Sequence, residues 1–304
     1  MKILFADSEC APFIKTGGLG DVTSALAKEL CRFPENEVAI VLPLYGSIKF
    51  GGEIRAEKAV SFELSLGWRQ LYCGVHKLKS SSRKNLTYYF IDNEYYFNAS
   101  PIYGRFDDGE RFAFFSKAIC EMMKAVNFFP DIVHLNDWQT ALVPLYLKGN
   151  YSDDDRYSKI KTVFTIHNIE YQGKASNGFL GDVIDLPEYW RETLTHNGCI
   201  NFMKSAIVLS DSITTVSNTY SYEIRHAYFA HGLENLLQLN AAKLEGIING
   251  IDDVQNDPRS DENLYENYGP GELSGKAANK ARLQKELGLA ALADVPLFAV
   301  VSRL

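Results

Sequence analysis

Ile3-Leu4-Phe5-Ala6, then Lys15-Thr16-Gly17-Gly18-Leu19-Gly20-Asp21, then a helical spacing carried by Val22, Leu26 and Leu30, is the stretch on which the fold turns. A short apolar run, a glycine turn and a 3.6-residue period read as strand, turn and helix, the opening unit of a parallel α/β sheet. In that geometry backbone N–H groups at the helix N-terminus face an anion. The glycines let a phosphate approach the backbone with no Cβ in the way, and Lys15 adds a mobile positive charge. The same glycines also suit a tight turn and nothing more, and the stretch alone does not separate the two readings. It is not the G-x-G-x-x-G dinucleotide pattern, because Gly17, Gly18 and Gly20 are spaced differently. It is not a Walker loop, because its lysine precedes the glycines.

The same rhythm runs outward along the chain. Val38–Leu42 reads as a second strand ending at Pro43, Asp131–Asn136 as another, followed by a helix over Trp138–Leu147. Thr162–Ile166, Ser212–Val216 and Leu244–Ile248 read as further strands, with a helix over Cys199–Ser210 and Ser217 as a helix cap. Alternating strands and helices predict a parallel sheet with helices on both faces. Residues from Glu53 to Asp92 break the pattern. The alternation in Val60–Leu66, Leu71–Leu78 and Leu86–Ile91 predicts an antiparallel insert. The aromatic run Tyr95-Tyr96-Phe97 is either a wall of a site or packed core. After Asp252 the chain turns rich in Asp, Asn, Gly and Pro, as a connection between domains would be. The predicted layout is a first domain over 1–252, a connection over 253–294 holding a helix over Ala277–Leu287, and a strand over 295–304. That last strand reads as the first of a domain that is mostly missing.

Composition narrows the partners. With 304 residues, 46% hydrophobic and 23% charged, the chain is long enough to bury a sizeable core. A net charge of −7 argues against nucleic acid as a partner. No apolar run is long enough for a membrane helix, and the N-terminus does not read as a signal peptide. Cys10, Cys31, Cys73, Cys120 and Cys199 are odd in number and lack metal spacing, so they read as reduced thiols of a cytoplasmic protein.

Ligands of open α/β sheets bind at the carboxyl ends of the strands. There the sequence places Asp7, Ser8 and Glu9 after the first strand; Asn136, Asp137 and Gln139 after the apolar run at 132–135; His167 and Asn168 after the run at 162–166; and Asn249 and Asp252 after the run at 244–248. Each has a plainer reading. Asp137 suits a helix cap, His167 a hydrogen-bonded core histidine, and Asn249-Gly250 a turn. Many hydrogen-bonding groups with few cations suit an array of sugar hydroxyls beside a phosphate.

Ser8-Glu9-Cys10-Ala11-Pro12-Phe13-Ile14-Lys15-Thr16-Gly17-Gly18-Leu19-Gly20-Asp21-Val22 resembles the N-terminal signature of bacterial glycogen synthases and plant starch synthases. The resemblance continues, in order, through Asp108–Phe115, His134–Thr140, Phe164–Gly173, Thr214–Ser217, Ile248–Asp252, Leu273–Lys276 and Val300–Leu304. It implies a two-domain GT-B glycosyltransferase with Rossmann-like halves. The implied reaction moves glucose from ADP-glucose to the non-reducing end of an α-1,4-glucan such as glycogen, with retention, and with neither metal nor cofactor. By the same resemblance His167 and Asp137 are catalytic, with His167 beside the donor glucose. Lys15, Gly17 and Gly18 hold the donor, Asn249 lines the sugar pocket, and Arg303 binds the diphosphate. Tyr95, with Tyr96, borders the acceptor path, and Asp21 steadies the glycine turn.

Two departures follow. Asp253-Val254-Gln255-Asn256-Asp257-Pro258 differs from the family's aromatic-Asn-Pro run, and the sequence stops at Arg303-Leu304, before the family's second domain. The 304-residue chain alone is therefore expected to transfer little or no glucose. A glucan-binding or scaffold module derived from the same domain is the alternative.

Overall fold

The computed structural model describes residues 1–51 and 56–301. The chain divides into two compact units, Met1–Gly250 and Ile251–Leu304. The first is built on β1 (Lys2–Ala6), β2 (Glu37–Pro43), β3 (Glu57–Leu66), β4 (Arg69–Lys79), β5 (Leu86–Asp92), β6 (Ile132–Asn136), β7 (Lys161–Ile166), β8 (Lys174–Ala175), β9 (Thr195–His196), β10 (Cys199–Asn201), β11 (Ser212–Thr215) and β12 (Leu244–Gly246). Nine of these form one sheet in the order β12-β11-β7-β6-β1-β2-β5-β4-β3, and β8, β10 and β9 form a small separate one.

β1 pairs in parallel with β2 on one side and β6 on the other. The parallel run continues through β7, β11 and β12 in one direction and through β5 in the other. Strand order therefore reverses at β1, and a crevice at the carboxyl ends of β1 and β6 is where such a sheet takes a ligand. Continuous burial explains why these strands are apolar throughout. Ile3–Ala6 and Val38–Pro43 are all buried, as strands covered on both faces must be.

The predicted insert is antiparallel, since β4 pairs in that sense with β3 and β5. It is not separate, however. β5 pairs in parallel with β2 from Val38↔Leu86 to Pro43↔Ile91, so the hairpin extends the main sheet. Glu53, where the insert was expected to begin, lies outside the described residues.

Several predicted elements change. The helix expected over Trp138–Leu147 is a 3-10 turn, Trp138–Thr140, and a separate helix, Val143–Gly149. Pro144 sits in the first turn of the latter, where a missing N–H costs nothing. The helix expected from Cys199 starts at Phe202, capped by the Asn201 side chain, because Cys199–Asn201 is taken up by β10. The last strand of the sheet stops at Gly246, which leaves Asn249 and Gly250 in the loop beyond it. Ser217 caps its helix as predicted, accepting the Tyr220 N–H at 2.9 Å. The expected terminal strand is not formed over its described residues. Val300 and Val301 have no ladder partner and are 92% and 100% exposed, and a strand exists only with a neighbour to hydrogen-bond. Within the second unit the main element is the helix Ser274–Glu286.

The core lies between the sheet and its helices. The helix Asp108–Ala125 is almost wholly buried, and even Arg111 is fully enclosed. Its guanidinium bonds Asp108 at 2.9 Å and the carbonyls of Tyr96 and Ile102, so the buried charge is satisfied. Cys10, Cys31, Cys73 and Cys120 are buried free thiols and Cys199 is a half-buried one. No helix among the described residues is long and apolar enough to cross a membrane.

Candidate active site at the carboxyl edge of the sheet

The chain leaves β1 through Asp7, Ser8 and Glu9 and returns into the helix Gly18–Leu30 through the glycine turn. Glu9, almost fully buried, holds that turn. Its carboxylate accepts the Thr16 N–H, the Thr16 hydroxyl at 2.6 Å, the Gly17 N–H at 3.4 Å and the Tyr103 hydroxyl at 2.9 Å. The turn is thus tied to the sheet edge from below. Gly17 is the N-cap and supplies no side-chain acceptor, so the first N–H groups of a 13-residue helix are left facing outward. A Cβ on Gly18 would meet open space, which keeps the approach to those donors clear. A Cβ on Gly20 would come within 3.1 Å of the Ile14 carbonyl, so glycine there serves close packing. Lys15 Nζ sits 2.6 Å from Asp21, both half-exposed. This pair steadies the turn, and an exposed pair of this kind separates easily.

β6 and β7 supply the second cluster. Asp137 follows β6 with φ +55° and ψ −176°, a conformation close to glycine-only territory that costs on the order of 1–3 kcal/mol for other residues. The strained backbone turns its carboxylate toward β7. Oδ1 accepts the N–H of His167 at 2.8 Å and of Asn168 at 3.2 Å. The cap reading of Asp137 is therefore replaced: its side chain makes no cap bond to the 3-10 turn and instead fixes the end of the neighbouring strand. The His167 ring lies 2.9 Å, through Nε2, from Asn136 Oδ1. An amide oxygen only accepts, so Nε2 carries the proton and Nδ1 keeps a free lone pair.

Beneath these residues a polar ladder crosses the sheet. His134 Nε2 meets Thr165 Oγ1 at 2.6 Å, which meets Thr214 Oγ1 at 2.6 Å. A concavity next to the ladder is lined by Val22, Leu26, His134, His167, Ile247 and Asn249.

Charge at this edge is unbalanced. Burial pushes the Asp7 carboxyl well up, and the nearby Asp137 and Glu9 push it further against the Thr23 and Glu9 hydrogen bonds. Burial likewise raises Asp137, opposed by His167 and the two N–H bonds. Burial lowers His167, with Asp137 pulling the other way, and lowers His134 to about 4, with His167 adding to the shift. The histidines are neutral near pH 7, which leaves Lys15 as the mobile cation of the glycine turn. No group of three His, Cys, Asp or Glu among the described residues is arranged to hold a metal.

Of the residues expected at the site, Lys15, Gly17 and Gly18 form one lip, Asp137 and His167 the floor, and Asn249 a lining of the concavity. Tyr95 and Tyr96 diverge. Tyr95 is 71% exposed, whereas Tyr96 is buried and donates to Glu110 at 2.5 Å, so only the first is available to a ligand. Arg303 lies outside the described residues. Sequence placed Glu9 and Asn136 at strand ends but gave neither a role; the folded chain makes Glu9 the clasp of Thr16 and Asn136 the partner of the His167 ring. That position is the signal that marks them.

The model of the family described as the starch synthase catalytic domain matches residues 2–239. The chain belongs to that family. A glycogen synthase of Ligilactobacillus salivarius is 46% identical over 306 residues, spanning all of this chain and 64% of the relative. One from Streptococcus pneumoniae is 46% identical over 308 residues, with 63% of the relative covered. Among solved structures, the catalytic domain of starch synthase IV from Arabidopsis thaliana, bound to ADP and acarbose, superposes with a TM-score of 0.83 at 32% identity. That match covers 95% of this chain and 59% of the other. The chain thus spans a little under two thirds of the length of the curated relatives it matches. The family fold agrees with the parallel sheet and helices described above.

Proposed function

We propose that the chain forms the N-terminal half of a retaining glucosyltransferase that uses ADP-glucose and elongates an α-1,4-glucan such as glycogen. The observation that carries this is the pairing of two features on one sheet edge. One is an open helix N-terminus with Lys15 beside it. The other is a strained Asp137 that positions a neutral His167. The first suits a diphosphate: outward N–H groups and a lysine stabilise the negative charge that develops as the nucleoside diphosphate leaves. Release of Lys15 from Asp21 frees the cation for that task. The second suits a sugar. Asp137 Oδ2 and His167 Nδ1 are left as acceptors for hydroxyl groups, and Asn249 adds an amide at the rim. Tyr95, exposed, fits the acceptor path. Arg303 is proposed as a second cation on the diphosphate.

Three carboxyl groups under one edge repel an anionic ligand. The Arabidopsis catalytic domain bound to ADP and acarbose supports a nucleotide and a carbohydrate as the ligands proposed here. The test is binding of ADP-glucose by Lys15→Ala against the unaltered chain. Loss of one charge-assisted contact is expected to weaken binding about ten-fold. Equal affinity would remove Lys15 from the site. Binding of maltooligosaccharide with no response to ADP-glucose would favour a glucan-binding module instead.

A further inference from the structure

The tip of the β3–β4 hairpin carries Gly67-Trp68, a two-residue turn between the paired residues Leu66 and Arg69. Trp68 is 76% exposed, yet it is not loose. Its indole N–H donates to Asp182 Oδ1 at 2.9 Å, and the Arg69 guanidinium covers one face of the ring at 4.6 Å. Arg69 in turn donates to the Asp182 carbonyl at 2.8 Å and to its carboxylate at 3.2 Å. The turn is pressed so closely onto that backbone that a Cβ on Gly67, where φ is +59°, would lie 2.1 Å from the Asp182 carbonyl oxygen. Arg69 and Gly67 hold the tip against the Asp182 backbone. The indole bond adds a fixed orientation to a ring that stays in water, with one face open.

We propose that Trp68 is a stacking platform for a glucan chain, outside the transfer site. This rests on the reading of the acceptor as an α-1,4-glucan. A glucose ring offers an apolar C–H face to an aromatic ring and hydroxyls at its edge to planar polar groups. Trp68 provides the ring, and Asp182 and Arg69 provide the polar rim, as small-molecule sites combine an apolar surface with a few fixed polar groups. A protein-docking or membrane surface calls for a contiguous apolar patch, whereas here a single ring is framed by charge. A chain of contacts through the buried Tyr96 links the tip to Tyr95: Arg69 to Glu110 at 3.1 Å, Glu110 to the Tyr96 hydroxyl at 2.5 Å, and Tyr96 to the Tyr95 ring at 5.0 Å. The two exposed rings, Trp68 and Tyr95, stand at the ends of that chain of contacts.

The test is native electrophoresis of the 304-residue chain through gels containing glycogen, with Trp68→Ala and Trp68→Phe, together with titration of tryptophan fluorescence by maltoheptaose. Trp68 is the exposed tryptophan, since Trp138 and Trp190 are buried or half-buried, so its emission is the reporter. Trp68→Ala is expected to weaken retardation about five-fold, with Trp68→Phe retaining most of it and maltoheptaose shifting wild-type emission. Unaltered melting temperature in Trp68→Phe separates ring loss from misfolding. Wild-type retardation that Trp68→Ala matches, with emission unmoved by maltoheptaose, overturns the platform and leaves the acceptor reading intact. No retardation of the wild-type chain overturns both.

Discussion

The floor of the site at β6–β7 and the tip of the β3–β4 hairpin use opposite physics. At the floor, Asn136 and Asp137 are buried, Asp137 bonds the N–H groups of the half-buried His167 and the exposed Asn168, and a strained backbone holds the arrangement. At the tip, Trp68 is in water and is fixed by one hydrogen bond and one stacked cation. A buried constellation couples position to stability, because losing one partner strands another. An exposed platform separates the two, so binding there changes with little effect on folding.

That contrast breaks first at Asp137. Asp137→Ala strands the N–H groups of His167 and Asn168 and leaves alanine at φ +55°, and is expected to cost about 2–4 kcal/mol. Trp68→Ala is expected to stay within about 1 kcal/mol. Guanidinium unfolding midpoints check both, and similar costs at the two sites would dissolve the contrast.

The next largest effect is with pH. His134 faces Thr165, Phe5 and His167, and its position near 4 lies below the ordinary histidine value. The unfolded chain takes up the proton first, so this contribution is complete above about pH 6.5 and is lost as pH falls toward 4, by at most about 3 kcal/mol. Asp7 and Asp137, raised, tilt stability the other way as pH rises, so the measurement is the difference between wild type and His134→Gln at pH 7 and pH 5. A difference that does not change with pH removes His134 as its source.

Smaller effects sharpen the comparison. Asp137→Gly, which tolerates the backbone conformation, is expected to be about 1 kcal/mol more stable than Asp137→Ala, measured by the same unfolding curves. Thr16→Val deletes the hydroxyl bond to Glu9 and is expected to cost about 1 kcal/mol, with faster amide exchange at Gly17.

Much of the fold was legible because its strands are local apolar runs with turn signals at their ends. β1, β2, β6 and β7 stand within a residue or two of their predicted limits. What was not legible depends on distant partners. No residue of β5 announces that it pairs in parallel with β2, so the hairpin read as an insert. The two- and three-residue strands β8, β9 and β10 have no period to detect. At the site, the strand-end rule located Asp137 and His167, since it follows from topology. It did not reveal that Asp137 serves the His167 backbone, or that Glu9 clasps Thr16, because those bonds join segments that meet only in the folded chain. Tyr95 and Tyr96 are adjacent in sequence and opposite in burial, and a short helix, Glu94–Phe97, decides which faces water.

On the reading proposed here, the glycine turn and the β6–β7 floor form one ligand surface. Amide chemical shifts of the isotope-labelled chain, followed while ADP-glucose is titrated in, test it most directly. Gly18 and Leu19 are expected to move together with His167 and Asn168 along one saturation curve, which shifts to about ten-fold higher ADP-glucose in Lys15→Ala. Movement at only one of the two clusters, or shifts unaffected by Lys15→Ala, would contradict it.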